Sequence, residues 1–327
     1  MTSRSSSGFV QRAFILLATL ASVLLSAPLG AQSSLLIEGT VVLGGVPVPE
    51  ATIDLHRVTR DTAGVVTRTT ADRDGSFRFE KPLVVPTGGF VVHFTTAEHL
   101  GVRYFGPPVH GDETVDSYRI EVFDTVHVNS TDARPLIARR DIVLISEARG
   151  GWEVNELLVI RNPGERTLVS PSGMPIWELR LPDGAEGFEV GEGELAPDAV
   201  QRMGDRVLLT GSLQPGDRDL LLRYRIGPGR GEATFPVDAP TGMMNLLVRQ
   251  PAPAVEVSGL GGGGEMAVEG ERFVRFGSAN VAAGTLPTLS WAGASGPPVS
   301  PVAAALGVLG LLLVVSAVYA YRRREMI

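Results

Sequence analysis

The sequence predicts an all-β protein: two or three tandem β-sandwich domains behind an export signal and ahead of one membrane-spanning helix. Three observations carry this expectation. Between two apolar ends, short runs of alternating apolar and polar residues are separated by Gly, Pro and Asp turns, the pattern of strands with one buried face. The same stretch has almost no helical periodicity, which points to sandwiches rather than mixed folds. The chain has no cysteine. Disulfides, a lipid-bearing cysteine and thiolate metal sites are therefore excluded, and an exported chain of this kind must stabilise itself by core burial.

The elements follow in chain order. Arg4 and Arg12 precede the apolar run Ala13–Leu25, and "SAPLGAQ" follows with a cleavage point after Ala31. Basic, apolar and small-residue regions in that order form an export signal, placed at 1–31. Seven strands are expected in the next stretch: Leu35–Val42, Ala51–Arg57, Val65–Ala71, Ser76–Glu80, Gly89–Thr95, Val102–Phe105 and Tyr118–Asp124. In the second of them Ala51, Ile53 and Leu55 face inward, with Thr52, Asp54 and His56 outward. That number of short strands suits one small sandwich over 32–126.

"TTADRDGSFRFE" (Thr69–Glu80) could be a calcium loop or a hairpin tip. With Gly75 at the sixth loop position, the twelfth falls on Lys81, where a bidentate glutamate is required. Asp74–Gly75 instead suits a turn with positive φ, and Phe77 and Phe79 alternate with Ser76, Arg78 and Glu80 as a half-buried strand does.

"IEGTVVLGGVPVPEATIDLHR" followed by "TRTTADRDGSFRFEKPL" resembles the carboxypeptidase regulatory-like module, a transthyretin-type (prealbumin-like) β-sandwich. The resemblance rests on Gly39, on Gly45–Leu55 and on the T-x-x-D-x-D-G-x-F-x-F run ending at Phe79. It covers 34–82 well and 83–125 loosely. It implies an accessory domain with no activity of its own, within a carbohydrate-binding-like fold group. Sugar binding enters by that analogy alone.

Strands are next expected at Asp141–Glu147, Trp152–Arg161, Pro175–Leu181, Phe188–Gly191, Arg206–Thr210 and Leu220–Ile226, an Ig-like sandwich over 127–228. Met244–Arg249, Val255–Ser258, Glu271–Phe276 and Leu286–Trp291 then make 229–292 either a third small domain or an extension of the second. A linker follows at 293–301. The uncharged run 302–321 is long enough to cross a bilayer, and Arg322, Arg323 and Arg324 after it place the tail 322–327 in the cytoplasm. The expected location is the cytoplasmic membrane, single-pass, with the domains exported to the periplasm or cell surface.

The whole chain carries −7, and the part between the end segments carries 24 basic and 35 acidic residues, or −11. That opposes binding to nucleic acid. The histidines are His56, His93, His99, His110 and His127, and none forms H-E-x-x-H. His110 and Glu113 form one H-x-x-E pair, without the downstream ligand and catalytic domain such a pair serves. No G-x-S-x-G elbow is present, and the glycine run Gly259–Met266 lacks the G-K-[ST] of a phosphate loop. Trp152, Trp177 and Trp291 at strand spacing read as core before sugar platforms.

The expectation is a non-enzymatic, single-pass envelope protein that displays its sandwiches for binding or scaffolding. No catalytic, metal or cofactor residues are expected. The candidate contact loop is Phe105–Asp116, with His110, Asp112, Glu113 and Asp116 as polar partners for a protein or carbohydrate. The alternatives are an accessory subunit of a membrane complex, which an exposed apolar patch would favour, and a hydrolase with an unrecognised site.

Overall fold

The structure is a computed structural model, and it describes residues 34–82, 90–110, 115–128, 134–170, 174–195, 197–228 and 231–291. The expected export signal, linker, membrane helix and tail lie outside the described residues. Among the described residues no helix is long and apolar enough to cross a membrane. The fold is all-β, and the chain divides into two compact units at Val122/Phe123.

The first unit contains β1 (Ser34–Leu43), β2 (Val46–Pro47), β3 (Thr52–Thr59), β4 (Ala63–Thr70), β5 (Ser76–Pro82), β6 (Val91–His99), β7 (Val102–Phe105), β8 (Val109–His110) and β9 (Val115–Val122). One sheet is built on β1. Strands β5 and β2 pair antiparallel with its early and late residues, and β9 pairs parallel to it. The other sheet runs β4-β3-β6-β7, with β8 paired to the early part of β6.

Alternation sets the faces. Ala51, Ile53 and Leu55 are buried, as are Phe77 and Phe79, while Arg78 and Glu80 are exposed. Tyr118 on β9 ties the two sheets together: its ring meets Phe77 edge-on at 6.2 Å, and its hydroxyl accepts from the Thr95 amide at 3.1 Å. Gly39 lets β1 approach β9, because a Cβ there would lie 2.2 Å from the Tyr118 carbonyl oxygen. "DRDG" is a turn. Gly75 has φ +74° and donates to the Asp72 carbonyl at 3.0 Å. The Asp74 carboxylate accepts from the Ser76 amide at 3.1 Å and hydroxyl at 2.6 Å.

The second unit contains β10 (Thr125–His127), β11 (Leu136–Ser146), β12 (Trp152–Asn162), β13 (Thr167–Val169), β14 (Trp177–Arg180), β15 (Ala185–Val190), β16 (Val200–Met203), β17 (Arg206–Leu209), β18 (Gly216–Ile226), β19 (Glu232–Thr234), β20 (Thr241–Arg249), β21 (Val255–Ser258), β22 (Gly264–Val268), β23 (Glu271–Val281) and β24 (Thr288–Trp291). Its main sheet has seven strands in the order β15-β18-β12-β11-β20-β23-β22. Two three-stranded sheets, β14-β17-β16 and β19-β24-β21, share one hydrophobic core with it. Leu144, Val154, Leu158 and Leu246 enter from the large sheet, Leu179 and Leu209 from one small sheet, and Leu289 from the other.

Strand β20 pairs parallel with β11 from Thr241↔Ile137 to Val248↔Leu144. Residues 231–291 therefore complete the sheet that 136–226 begins. The three tryptophans are buried, and Trp152 meets Trp291 edge-on at 5.8 Å.

A charged network sits inside this core. Arg140 and Glu156 are both 0% exposed. The Arg140 Nε donates to Glu156 Oε1 at 2.7 Å, its Nη1 donates to the Pro236 carbonyl at 2.6 Å, and the Tyr224 hydroxyl donates to Glu156 Oε2 at 2.8 Å. Burial and the neighbouring carboxylate push the Tyr224 phenol well above its ordinary value. Most of the network's polar atoms have partners, which is the condition for tolerating a buried charge pair.

Candidate functional site

The outer face of the five-stranded sheet departs from the usual rule. An antiparallel sheet packed on one side normally turns a polar face to water. Here the cross-strand register brings apolar and aromatic side chains together. Val65 on β4 lies opposite His56 on β3, and His56 lies opposite Phe94 on β6. Val58 lies opposite Val92, and Val92 opposite His110 on β8. Phe105 on β7 lies opposite Thr96.

Phe105 and Val65 remain 63% and 54% exposed. The His56 and Phe94 rings are stacked at 4.8 Å with planes 1° apart, and Phe105 lies 5.9 Å from Phe94 at 38°. The His56 Nε2 is 3.0 Å from the Thr96 hydroxyl. Burial lowers the His56 pKa, Asp54 opposes that shift, and Arg103 reinforces it.

Charges gather at one end of this face. Arg68 donates to both carboxylate oxygens of Asp54, at 2.6 and 2.9 Å. This holds Asp54 below the usual carboxylate range, chiefly through the Arg68 hydrogen bonds. Glu98 lies opposite Arg103 in the register. The rim thus carries two acids and two arginines, with the apolar residues beside them.

The Phe105–His110 segment is fixed by a break in the strand ladder. Strand β7 pairs with Thr96–His99 and β8 with Val92–His93, so Thr95 falls between them. The Gly106 amide takes the Thr95 carbonyl at 2.9 Å, and the Tyr118 hydroxyl takes the Thr95 amide. The same hydroxyl donates to the Pro107 carbonyl at 2.5 Å. A Cβ on Gly106 would lie 2.3 Å from the Tyr118 ring, so this passage needs glycine. Tyr118 thereby positions the segment that carries Phe105 and His110.

The residues expected to form one contact loop are divided by the fold. His110 is exposed on β8, in the five-stranded sheet, whereas Asp116 is exposed on β9, in the sheet built on β1. Asp112 and Glu113 lie outside the described residues. Asp116 accepts from the Ser117 hydroxyl at 3.2 Å. It lines a polar trough of about 540 Å³ with Glu38, Thr40, Asp72, Arg78 and Arg119. Arg78 in that trough is already paired with Glu38 and Glu80.

His93 faces the interior, where burial lowers its pKa. Among the described residues no group of three or more His, Asp or Glu is placed to hold a metal ion. The apolar outer face had a signal in the sequence that the strand assignments passed over. In "FVVHFTT" (Phe90–Thr96) one phase of the strand period holds Phe90, Val92 and Phe94 and the other Val91, His93 and Thr95, and the more apolar phase is the one turned outward.

No protein-family model matches the chain, and no curated protein matches it. Among solved structures it is similar to an M1 zinc metallopeptidase from Deinococcus radiodurans, at 14% identity over 48% of this chain and 42% of that one, with a TM-score of 0.29. A putative protease from Parabacteroides distasonis gives 11% identity over 48% and 40% of the two chains, with a TM-score of 0.29. Leukotriene A4 hydrolase from Saccharomyces cerevisiae gives 10% over 50% and 30%, at 0.32. The chain spans less than half the length of each of these proteins, and similarity at this level carries no argument about its fold or its activity.

Proposed function

We propose that this protein is a non-catalytic, single-pass envelope protein whose first, prealbumin-like unit docks a protein partner. It would work as a scaffold or accessory subunit of a membrane complex. The observation that supports this is the outer face of the five-stranded sheet. Val58, Val65, Val92, Phe94 and Phe105 form a continuous apolar surface with a charged rim, the composition expected of a contact site.

The geometry favours protein over carbohydrate. A sugar platform needs aromatic faces turned to solvent, and the His56–Phe94 stack takes one face of each ring out of reach. Docking of apolar side chains against ring edges and valines needs no such faces. The export signal and C-terminal helix of the sequence would hold this surface outside the cytoplasmic membrane.

The test is crosslinking and pull-down of the full chain from intact membranes. Phe105→Ser with Val65→Ser should abolish partner recovery while circular dichroism stays unchanged. Equal recovery by the folded double variant refutes the reading. Recovery lost in favour of glycan binding would return the site to carbohydrate.

A further inference from the structure

We propose that the polar trough on the sheet built on β1 binds a basic amino acid of the lysine type, with its carboxylate on Arg119 and its two ammonium groups on Asp116 and Asp72. The trough belongs to the other sheet of the first unit, and its ligand is independent of docking on the apolar face.

Strand register builds the trough. Strand β9 pairs with β1 at Ile37↔Val115 and again at Gly39↔Tyr118, so Asp116 and Ser117 together oppose the single residue Glu38. A bulge of this kind re-aims side chains. Both residues are exposed, where regular alternation would turn one of them inward. One step further, Arg119 lies opposite Thr40, and Thr40 opposite Ser76 of β5. The backbones of Arg119 and Ser76 are therefore about 10 Å apart, two strand spacings. The Asp72 amide donates to the Ser76 carbonyl at 2.8 Å, which sets Asp72 at the β5 end of this row. The space they line is about 540 Å³, within the range of small-ligand sites.

Charge then selects the ligand. Arg78 is engaged by Glu38 and Glu80. Asp116 has the Ser117 hydroxyl alone. The side chains of Asp72 and Arg119 have no hydrogen bond or ion pair among the described residues. Two carboxylates and one guanidinium are thus left without ionic partners. Their complement is a molecule with two ammonium groups and one carboxylate. A neutral saccharide leaves all three charges unmatched, a diamine leaves Arg119 unmatched, and a dicarboxylic acid brings like charge to Asp72 and Asp116. The carboxylate suits the planar fork of Arg119. The α-ammonium beside it falls to Asp116, three residues earlier on the same strand. The four-carbon stem of lysine crosses Thr40 and carries the second ammonium toward Asp72. The trough is open to solvent, so loss of any one of these pairs should weaken binding only about two- to fivefold.

The experiment is ligand-observed saturation-transfer NMR on the full chain in nanodiscs. The probes are L-lysine and three analogues that each lack one charge: norleucine, lysinamide and Nα-acetyl-lysine. Lysine should bind saturably, and each analogue about two- to fivefold more weakly. Arg119→Gln should erase the preference over lysinamide and keep that over norleucine. Asp72→Asn should do the reverse. Both side chains are exposed, so neither change disturbs the fold. Lysine binding that does not saturate, analogues that bind as tightly as lysine, or preferences unchanged in both variants overturn the proposal. Tighter binding of glucose than of lysine also overturns it and makes the trough a saccharide site.

Discussion

Replacing Tyr118 with phenylalanine tests whether one hydroxyl fixes the segment that carries Phe105. The variant keeps the ring, its packing on Phe77 and the glycine contact at 106. It removes the acceptor for the Thr95 amide and the donor to the Pro107 carbonyl. The two losses differ in cost. Pro107 is exposed, so water can replace the lost donor, whereas Thr95 is fully buried and its amide would stay unpaired. An orphaned buried donor costs about 1–3 kcal/mol. Opening of residues 91–110 should become easier by that amount, so their amides should exchange about 5- to 150-fold faster, with the second unit unaffected. Peptide-resolved hydrogen exchange on the full chain measures this. Unchanged exchange over β6, β7 and β8 would refute the idea that the hydroxyl bridges the ladder break.

Gly75→Val should destabilise the first unit by more than about 2 kcal/mol, because the residue has positive φ and its Cβ would lie 2.8 Å from the Val41 carbonyl oxygen. Gly45→Ala, also at positive φ but with open space around it, should lose only about 1–2 kcal/mol in the same urea titration. In the second unit, Glu156→Leu should cost about 3–5 kcal/mol by stranding the buried Arg140. Arg140→Met, Glu156→Leu and Tyr224→Phe together should recover most of that loss, and chemical denaturation distinguishes the two. Acid should weaken the first unit through His93. Its folded-state pKa lies below the ordinary 6.5, so the unfolded chain takes up the proton first. Stability should therefore fall as pH drops below 6.5 and level off beneath the depressed folded value. His56 has the same direction of shift, so urea midpoints between pH 7.5 and 5 should show this slope, His93→Leu should reduce it, and His93→Leu with His56→Phe should remove most of it.

Local pattern was enough to place most strands and their faces. Phe77 and Phe79, or Ile53 and Leu55, reveal their buried side because neighbouring strand residues point to opposite faces. The Asp74–Gly75 turn was legible for a similar reason: positive φ is a property of one residue and its side chain. Short strands such as β10, β13, β16 and β19 were not legible, since three or four residues carry too little alternation to rise above a loop.

The sequence by itself determined the all-β class, the absence of disulfides, the turn at Gly75 and the inward phase of the long strands. Only the tertiary structure decided which strands are neighbours. Parallel pairing of β1 with β9 and of β11 with β20 joins residues far apart in the chain, and no local period encodes a partner. That pairing made 231–291 part of the second unit. In the first unit the fold set His110 and Asp116 in different sheets, though only five residues lie between them in the chain. It also gathered Val65, His56, Phe94 and Phe105 from four strands onto one face, because cross-strand register is fixed by which side chains the core must bury.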